Sequence, residues 1–106
     1  MEVNALIQRA MQVRRLYAVL EQRDHGRAWT NEEIALGFVG DVGDLVKLVM
    51  AREGMRSIPE VERKLPHELA DCLWSVLVLS QAYGVDIERA FLQTMDELER
   101  HIRSSL

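Results

Sequence analysis

Apolar residues recur along this chain at intervals of three and four, with no run of alternating β-branched residues, a pattern that predicts four helices and no sheet. Val3, Leu6, Ile7, Ala10, Val13, Tyr17 and Leu20 mark one face of a first helix over roughly Val3 to Gln22. The stretch Asp24-His25-Gly26-Arg27 breaks it. A second helix opens at Thr30-Asn31-Glu32-Glu33. Thr30 as N-cap and Glu33 three residues later match a capping box, and Trp29 and Ile34 are placed to form a hydrophobic staple. Its apolar stripe is Phe38, Val42, Leu45 and Val49, and it runs to about Arg52, stopping near Gly54. Residues 55–64 read as a surface connection. Pro66 suits the first turn of a third helix, where its missing N–H is not needed. That helix ends at Tyr83, with Gly84 free to turn left-handed. Asp86 caps a fourth helix with the stripe Ile87, Phe91, Met95, Leu98 and Ile102. The expected fold is all-α, a four-helix bundle-like and oligomeric arrangement, in a single domain over residues 1–106.

Size supports the oligomeric expectation. A chain of 106 residues buries roughly two-thirds of the surface its unfolded form exposes, which leaves a modest core for self-association to supplement. Net charge is −4, from 13 basic and 17 acidic residues, so no basic excess points to a nucleic-acid polymer. Cys72 stands alone, which excludes an internal disulfide and a cysteine zinc site and suits a reducing, cytoplasmic setting. Residues 1–20 mix Arg, Gln and Glu among their apolar residues, unlike a secretory signal. The longest strongly apolar run, Cys72 to Leu79, is too short to span a bilayer.

The candidate chemistry is acidic. Asp41 and Asp44 lie one turn apart on the second helix, and Glu68 and Asp71 repeat that spacing on the third. Antiparallel packing of the two helices brings four carboxylates together. At about 5 Å and an effective dielectric near 20, each pair repels by roughly 3 kcal/mol before screening. Either some protonate or a cation neutralises them. Hard oxygen ligands favour Mg²⁺, with Mn²⁺ the second choice, over zinc. Gly37, Gly40 and Gly43 form a smooth ridge beside the acids, and each costs about 1 kcal/mol relative to Ala inside a helix. Close approach of a neighbouring helix or a ligand to that ridge is the expectation.

The segments TNEEIALGFVGDVGDLVKLVM (residues 30–50), PHELADCLWSVLVL (66–79) and GVDIERAF (84–91) resemble the MazG-like all-α nucleoside triphosphate pyrophosphohydrolases. The resemblance covers the chain from about Trp29 to Met95. It implies a magnesium site at Asp41, Asp44, Glu68 and Asp71, with Glu68 and Asp71 as catalytic candidates. It also implies release of a nucleoside monophosphate and pyrophosphate from a nucleotide substrate, and assembly as homodimer or homotetramer. The family pattern is Glu-x-x-Glu followed by Glu-x-x-Asp. Both first-pair glutamates are aspartates here, each one methylene shorter. Thr94 and Leu98 stand where many members carry a phosphate-contacting Lys and a sugar-contacting Asn. Phosphate contacts then fall to Lys47, Lys64 or Arg63.

Each feature has a plainer reading. The acidic pairs suit solvated helix faces, and Glu68 suits the positive end of the third helix. Trp29 is a staple residue or a platform for a nucleobase, and Glu33 a cap or a distant member of the acidic site. Trp74 reads as core or subunit interface, turned away from Glu68 and Asp71. His67 reads as an exposed helix-start residue or a phosphate contact, and Cys72 as a small buried residue. The rival to an enzyme is a non-catalytic helical oligomer that keeps an acidic cation- or nucleotide-binding site.

Overall fold

The structure, a computed structural model, describes residues 2–106. Among them are four helices and no strand: α1 (Val3–His25), α2 (Asn31–Arg52), α3 (Val61–Ala82) and α4 (Ile87–Ser105). None is long and apolar enough to cross a membrane.

Local capping places three of the boundaries where the residues suggest. The Thr30 hydroxyl accepts from the Glu33 N–H at 3.2 Å, and the Glu33 carboxylate accepts from the Thr30 N–H at 3.0 Å. The Asp86 carboxylate accepts from the Arg89 N–H at 3.1 Å and starts α4. After α3, Gly84 adopts φ 65°, and the Val85 N–H closes on the Ser80 carbonyl at 2.8 Å.

Two boundaries move. α1 continues through Asp24 and His25, because the residue that ends it is Gly26 at φ 77°, whose N–H reaches the Gln22 carbonyl at 3.0 Å. α3 begins at Val61 instead of near Pro66. Glu60 takes a left-handed turn at φ 59°, and its carbonyl accepts from the N–H groups of Arg63 and Lys64. Pro66 therefore lies inside α3, where it withholds the hydrogen bond otherwise made to the Glu62 carbonyl. Residues 61–64 are helix, not connection.

α3 is the centre of the molecule and packs on both α2 and α1. The core cluster joins Ala10 of α1, Ile34 of α2, and Leu77 and Val78 of α3, with Leu6, Ile7, Met11 and Trp74 packed around it. The buried side of α2 is Ile34 and Leu48, whereas Val42 and Val49 of the expected stripe are substantially exposed. Leu48 is turned about 100° from Val49, and Ile34, Asp41 and Leu48, seven residues apart, share the α3 side.

α4 joins this core at Ile87 and buries no residue completely. Phe91, Met95, Leu98 and Ile102 are all exposed. The Cα radius of gyration is 16.8 Å, against about 13 Å for a compact chain of this length. A single chain is thus a three-helix core with a fourth helix reaching away from it.

Candidate metal centre and flanking cavities

α2 and α3 are antiparallel neighbours. Asp44 and Lys47 face one cavity together with Lys64 and His67, whereas Gly37 and Asp41 face another together with Asp71 and Ser75. Rising numbers on α3 thus meet falling numbers on α2. This register brings Asp41, Asp44 and Glu68 together, with one carboxylate oxygen from each lying within 4.8 Å of the others. Asp41 and Glu68 are partly buried, while Asp44 is exposed.

Asp71 lies outside that group. Its Oδ2 is 3.2 Å from Nε2 of His67, one turn earlier on α3. His67 is exposed, as expected for a residue near a helix start, and its contact is a carboxylate of the acidic set.

The centre is electrostatically uneven. Oε1 of Glu68 is shut off from solvent and has no hydrogen-bond partner among the described residues. Burial, together with the charges of Asp41, Asp71 and Asp44, pushes the Glu68 carboxyl above its usual range. A buried acceptor without a donor is costly, and either a proton or a cation would satisfy it. Three converging carboxylates, one of which also carries an orphaned oxygen, fit a hard divalent cation. Cys72 is only partly buried, and burial with the charges of Asp41, Glu68 and Asp71 pushes its thiol up, away from the nucleophilic thiolate.

Two cavities flank the acids. The smaller, about 250 Å³, shares Asp44 and Glu68 with the centre and adds Lys47, Lys64 and His67. Of the basic residues considered from sequence, Arg63 lines neither cavity and instead pairs with Glu60 at 2.9 Å. The larger, about 590 Å³, shares Asp41 with the centre, takes in Asp71 beside it, and is walled by Trp29, Trp74 and Tyr17. Trp29 lies across Gly37, where an added Cβ would meet its ring at 3.4 Å. Trp74 packs against the core as expected, but it shares this cavity with Asp71, whereas Glu68 lines the other one. Its indole N–H donates to the Ala10 carbonyl at 3.1 Å, and Tyr17 meets it edge-on with centroids 5.6 Å apart.

Glu33 belongs to a different network. Arg27 grips its carboxylate at 2.6 and 3.1 Å, and that hydrogen bonding, with the Thr30 N–H, lowers its pKa to about 2. It acts as a cap and a loop anchor. The ridge glycines also separate: among the described residues, nothing beyond the local helix comes within 4 Å of a Cβ at Gly40 or Gly43. The neighbour found along the ridge among these residues is the Trp29 ring at Gly37.

Sequence reading missed the contribution of α1. Glu21 faces the larger cavity, and its position, four residues after Tyr17, places an acid on the stripe of Val13 and Tyr17. A lone charge on an apolar face was the available signal.

Comparison with known proteins bears on the same residues. The MazG nucleotide pyrophosphohydrolase domain matches residues 29–103, a span containing both acidic pairs. No curated protein and no solved structure matches the chain. With that match extending over most of its length, and with an all-helical fold that sets the two acidic pairs on adjacent helices, the chain belongs to the MazG family.

Proposed function

We propose that this chain is a divalent-cation-dependent nucleotide pyrophosphohydrolase, converting (deoxy)nucleoside triphosphates to monophosphate and pyrophosphate, with a cytoplasmic house-cleaning role toward non-canonical or surplus nucleotides. The observation that carries this reading is the meeting of Asp41, Asp44 and Glu68 between an aromatic cavity and a basic one. Those three residues would hold Mg²⁺, or Mn²⁺, which when bound supplies Lewis-acid stabilisation of charge on the phosphate oxygens. Lys47 and Lys64 bind the phosphate tail from the smaller cavity, and Trp29 offers the nucleobase a stacking face in the larger one. Asp71, outside the three-oxygen group and bordering the larger cavity, orients the attacking water and takes its proton. The water oxygen bonds to the α-phosphorus, the bond from that phosphorus to the α,β-bridging oxygen breaks, and pyrophosphate leaves with the electron pair.

The exposed α4 face supports self-association. Phe91, Met95, Leu98 and Ile102 lie along one side and are all exposed, and contiguous exposed apolar residues of this kind mark interfaces. A second copy of the chain covers this face in a homodimer or homotetramer.

The test is pyrophosphate release from a nucleotide panel with Mg²⁺ or Mn²⁺. Activity reduced at least 100-fold by Glu68→Gln and by Asp71→Asn supports the enzyme. The rival, a non-catalytic oligomer with a retained cation site, draws on the shorter aspartate pair and on Thr94 and Leu98, which line neither cavity. A folded, cation-binding protein that turns over no nucleotide would establish the rival.

A further inference from the structure

The larger cavity carries a polar feature that neither cation binding nor phosphate binding uses. Arg14, Glu21 and Trp29 form a clamp. Oε1 of Glu21 accepts from the Trp29 backbone N–H at 2.7 Å and from Nη1 of Arg14 at 3.2 Å. Arg14 also donates from Nη2 to the Trp29 carbonyl at 2.8 Å. Both backbone polar groups of Trp29 are thereby tied to α1. The Arg14 and Glu21 side chains are each only 13 % exposed. All of the Glu21 contacts fall on Oε1. Oε2 has no partner among the described residues, and it is not among the buried atoms that lack one, so it remains open to solvent.

Several of the cavity's other polar groups are already engaged. Asp24 is drawn off by Arg23, at 2.8 and 3.4 Å. The Trp74 N–H is spent on Ala10. Asp41 belongs to the acidic centre, and Asp71 lies 3.2 Å from His67. Glu21 thus lines a cavity bounded by three aromatic rings and by Asp41 and Asp71, with one carboxylate oxygen pinned and the other, Oε2, unpaired. At about 590 Å³ it is within the range of small-molecule sites, roughly 300–1,000 Å³.

From this we infer that Glu21 is a specificity-determining residue that selects amino-bearing nucleobases (cytosine, adenine or guanine) over uracil and thymine. The inference rests on the reading of the acidic centre as the triphosphate site, which places the nucleoside in the adjoining aromatic cavity. A carboxylate oxygen accepts from an exocyclic amine, as it does from the cytosine N4 group in nucleic-acid readout. Uracil and thymine present a carbonyl at that edge and flank their single N–H with carbonyls on both sides, so a carboxylate oxygen meets acceptors and is repelled. The clamp supplies the rigidity this discrimination needs, because Glu21 is held by the same contacts that hold Trp29.

The experiment compares kcat/KM of the whole protein for dCTP and dATP with that for dUTP and dTTP, in the wild type and in Glu21→Gln. Gln keeps an acceptor for the Trp29 N–H and puts an amide donor where Oε2 stood. The wild type should favour the amino bases by roughly 10- to 100-fold, and Glu21→Gln should shift that ratio toward the oxo bases by at least about tenfold. Quenching of tryptophan fluorescence by unphosphorylated cytidine and uridine, without added cation, reads the same preference independently of turnover. Wild-type protein that hydrolyses dUTP and dTTP as fast as dCTP overturns the inference whether or not the variant folds. So does a ratio unchanged by Glu21→Gln. Both results leave the pyrophosphohydrolase reading standing. If no nucleotide is turned over, that reading falls, and equal quenching by cytidine and uridine then removes this inference as well.

Discussion

α3 and α4 are helices of similar length with opposite fates. α3 buries two serines, Ser75 and Ser80, along with Leu77 and Val78. α4 carries the cleaner amphipathic stripe and leaves it exposed, with Phe91 at 58 % and Leu98 at 47 %. Hydrophobicity alone does not decide burial here; position in the chain does. α3 is flanked by α1 and α2 and therefore buries whatever it holds. α4 follows a short turn at Gly84 that points it away from the core beyond Ile87. A stripe this regular, left exposed among the described residues, is what the proposed self-association would cover.

Substitutions that treat the two helices alike should therefore give unlike results. Leu77→Ala opens a cavity in the core and should lower stability by about 2–5 kcal/mol, a large fraction of what a small domain has. Leu98→Ala on α4 should leave single-chain stability within about 0.5 kcal/mol of wild type, as for a surface site. Urea titrations at concentrations low enough to dissociate any oligomer measure both. Equal losses at the two sites would mean that α4 packs within its own chain. Phe91→Glu carries the contrast into assembly. A charge in the middle of the α4 stripe should weaken self-association by more than tenfold, read by sedimentation velocity, with helix content by circular dichroism unchanged.

The acidic centre gives a smaller effect with a pH signature. Glu68 has its carboxyl pushed above the ordinary 4.5 by burial first and then by its acidic neighbours. A carboxyl whose folded pKa exceeds its unfolded value holds its proton better when folded. The penalty on stability is thus fully present above the folded pKa and is relieved as pH falls toward 4.5 and below. A cation relieves the same penalty at neutral pH. Mg²⁺ or Mn²⁺ should raise Tm more at pH 7.5 than at pH 5. Glu68→Gln should raise the cation-free Tm at pH 7.5, by removing the charge, and should remove most of the cation response. A cation response as large in the variant as in the wild type would place the cation elsewhere.

The parts of the fold legible from residues are the short-range ones. Thr30 with Glu33, Asp86 with Arg89, and Gly84 after α3 are all decided within four residues, and local chemistry suffices to read them. Pro66 misled because the first turn of a helix is its commonest helical place, while the turn that starts α3 is made by Glu60, which carries no strong left-handed signal. The acidic pairs were visible as spacing on two helices. What spacing could not convey is that Asp71 contacts His67 while the other three acids converge, since that depends on side-chain directions across the α2–α3 contact. The cavity wall on α1 was still less accessible, because Glu21 meets Trp29 across a loop and Trp74 meets Ala10 across most of the chain.

The glycine ridge offers the finest test, because the same residue type sits in two environments along one helix. Gly37 lies under the Trp29 ring, so a methyl group there sits at 3.4 Å from an aromatic carbon and gains little. Gly40 and Gly43 face open space in the single chain, where Ala should stabilise α2 by about 0.5–1 kcal/mol through its higher helix propensity. Gly43→Ala should accordingly raise the melting temperature of dissociated protein. Leu36, Val39 and Val46 are exposed on α2 alongside these glycines, so a second copy that packs there needs the bare backbone. In that case Gly43→Ala stabilises the single chain and weakens self-association together, two opposite effects of one methyl group. Stabilisation with undiminished association would show that the subunits meet through α4 without α2. A loss of stability in the dissociated chain would mean that part of the same chain covers the ridge after all, and the contrast between a packed α3 and unpartnered faces elsewhere would have to be redrawn.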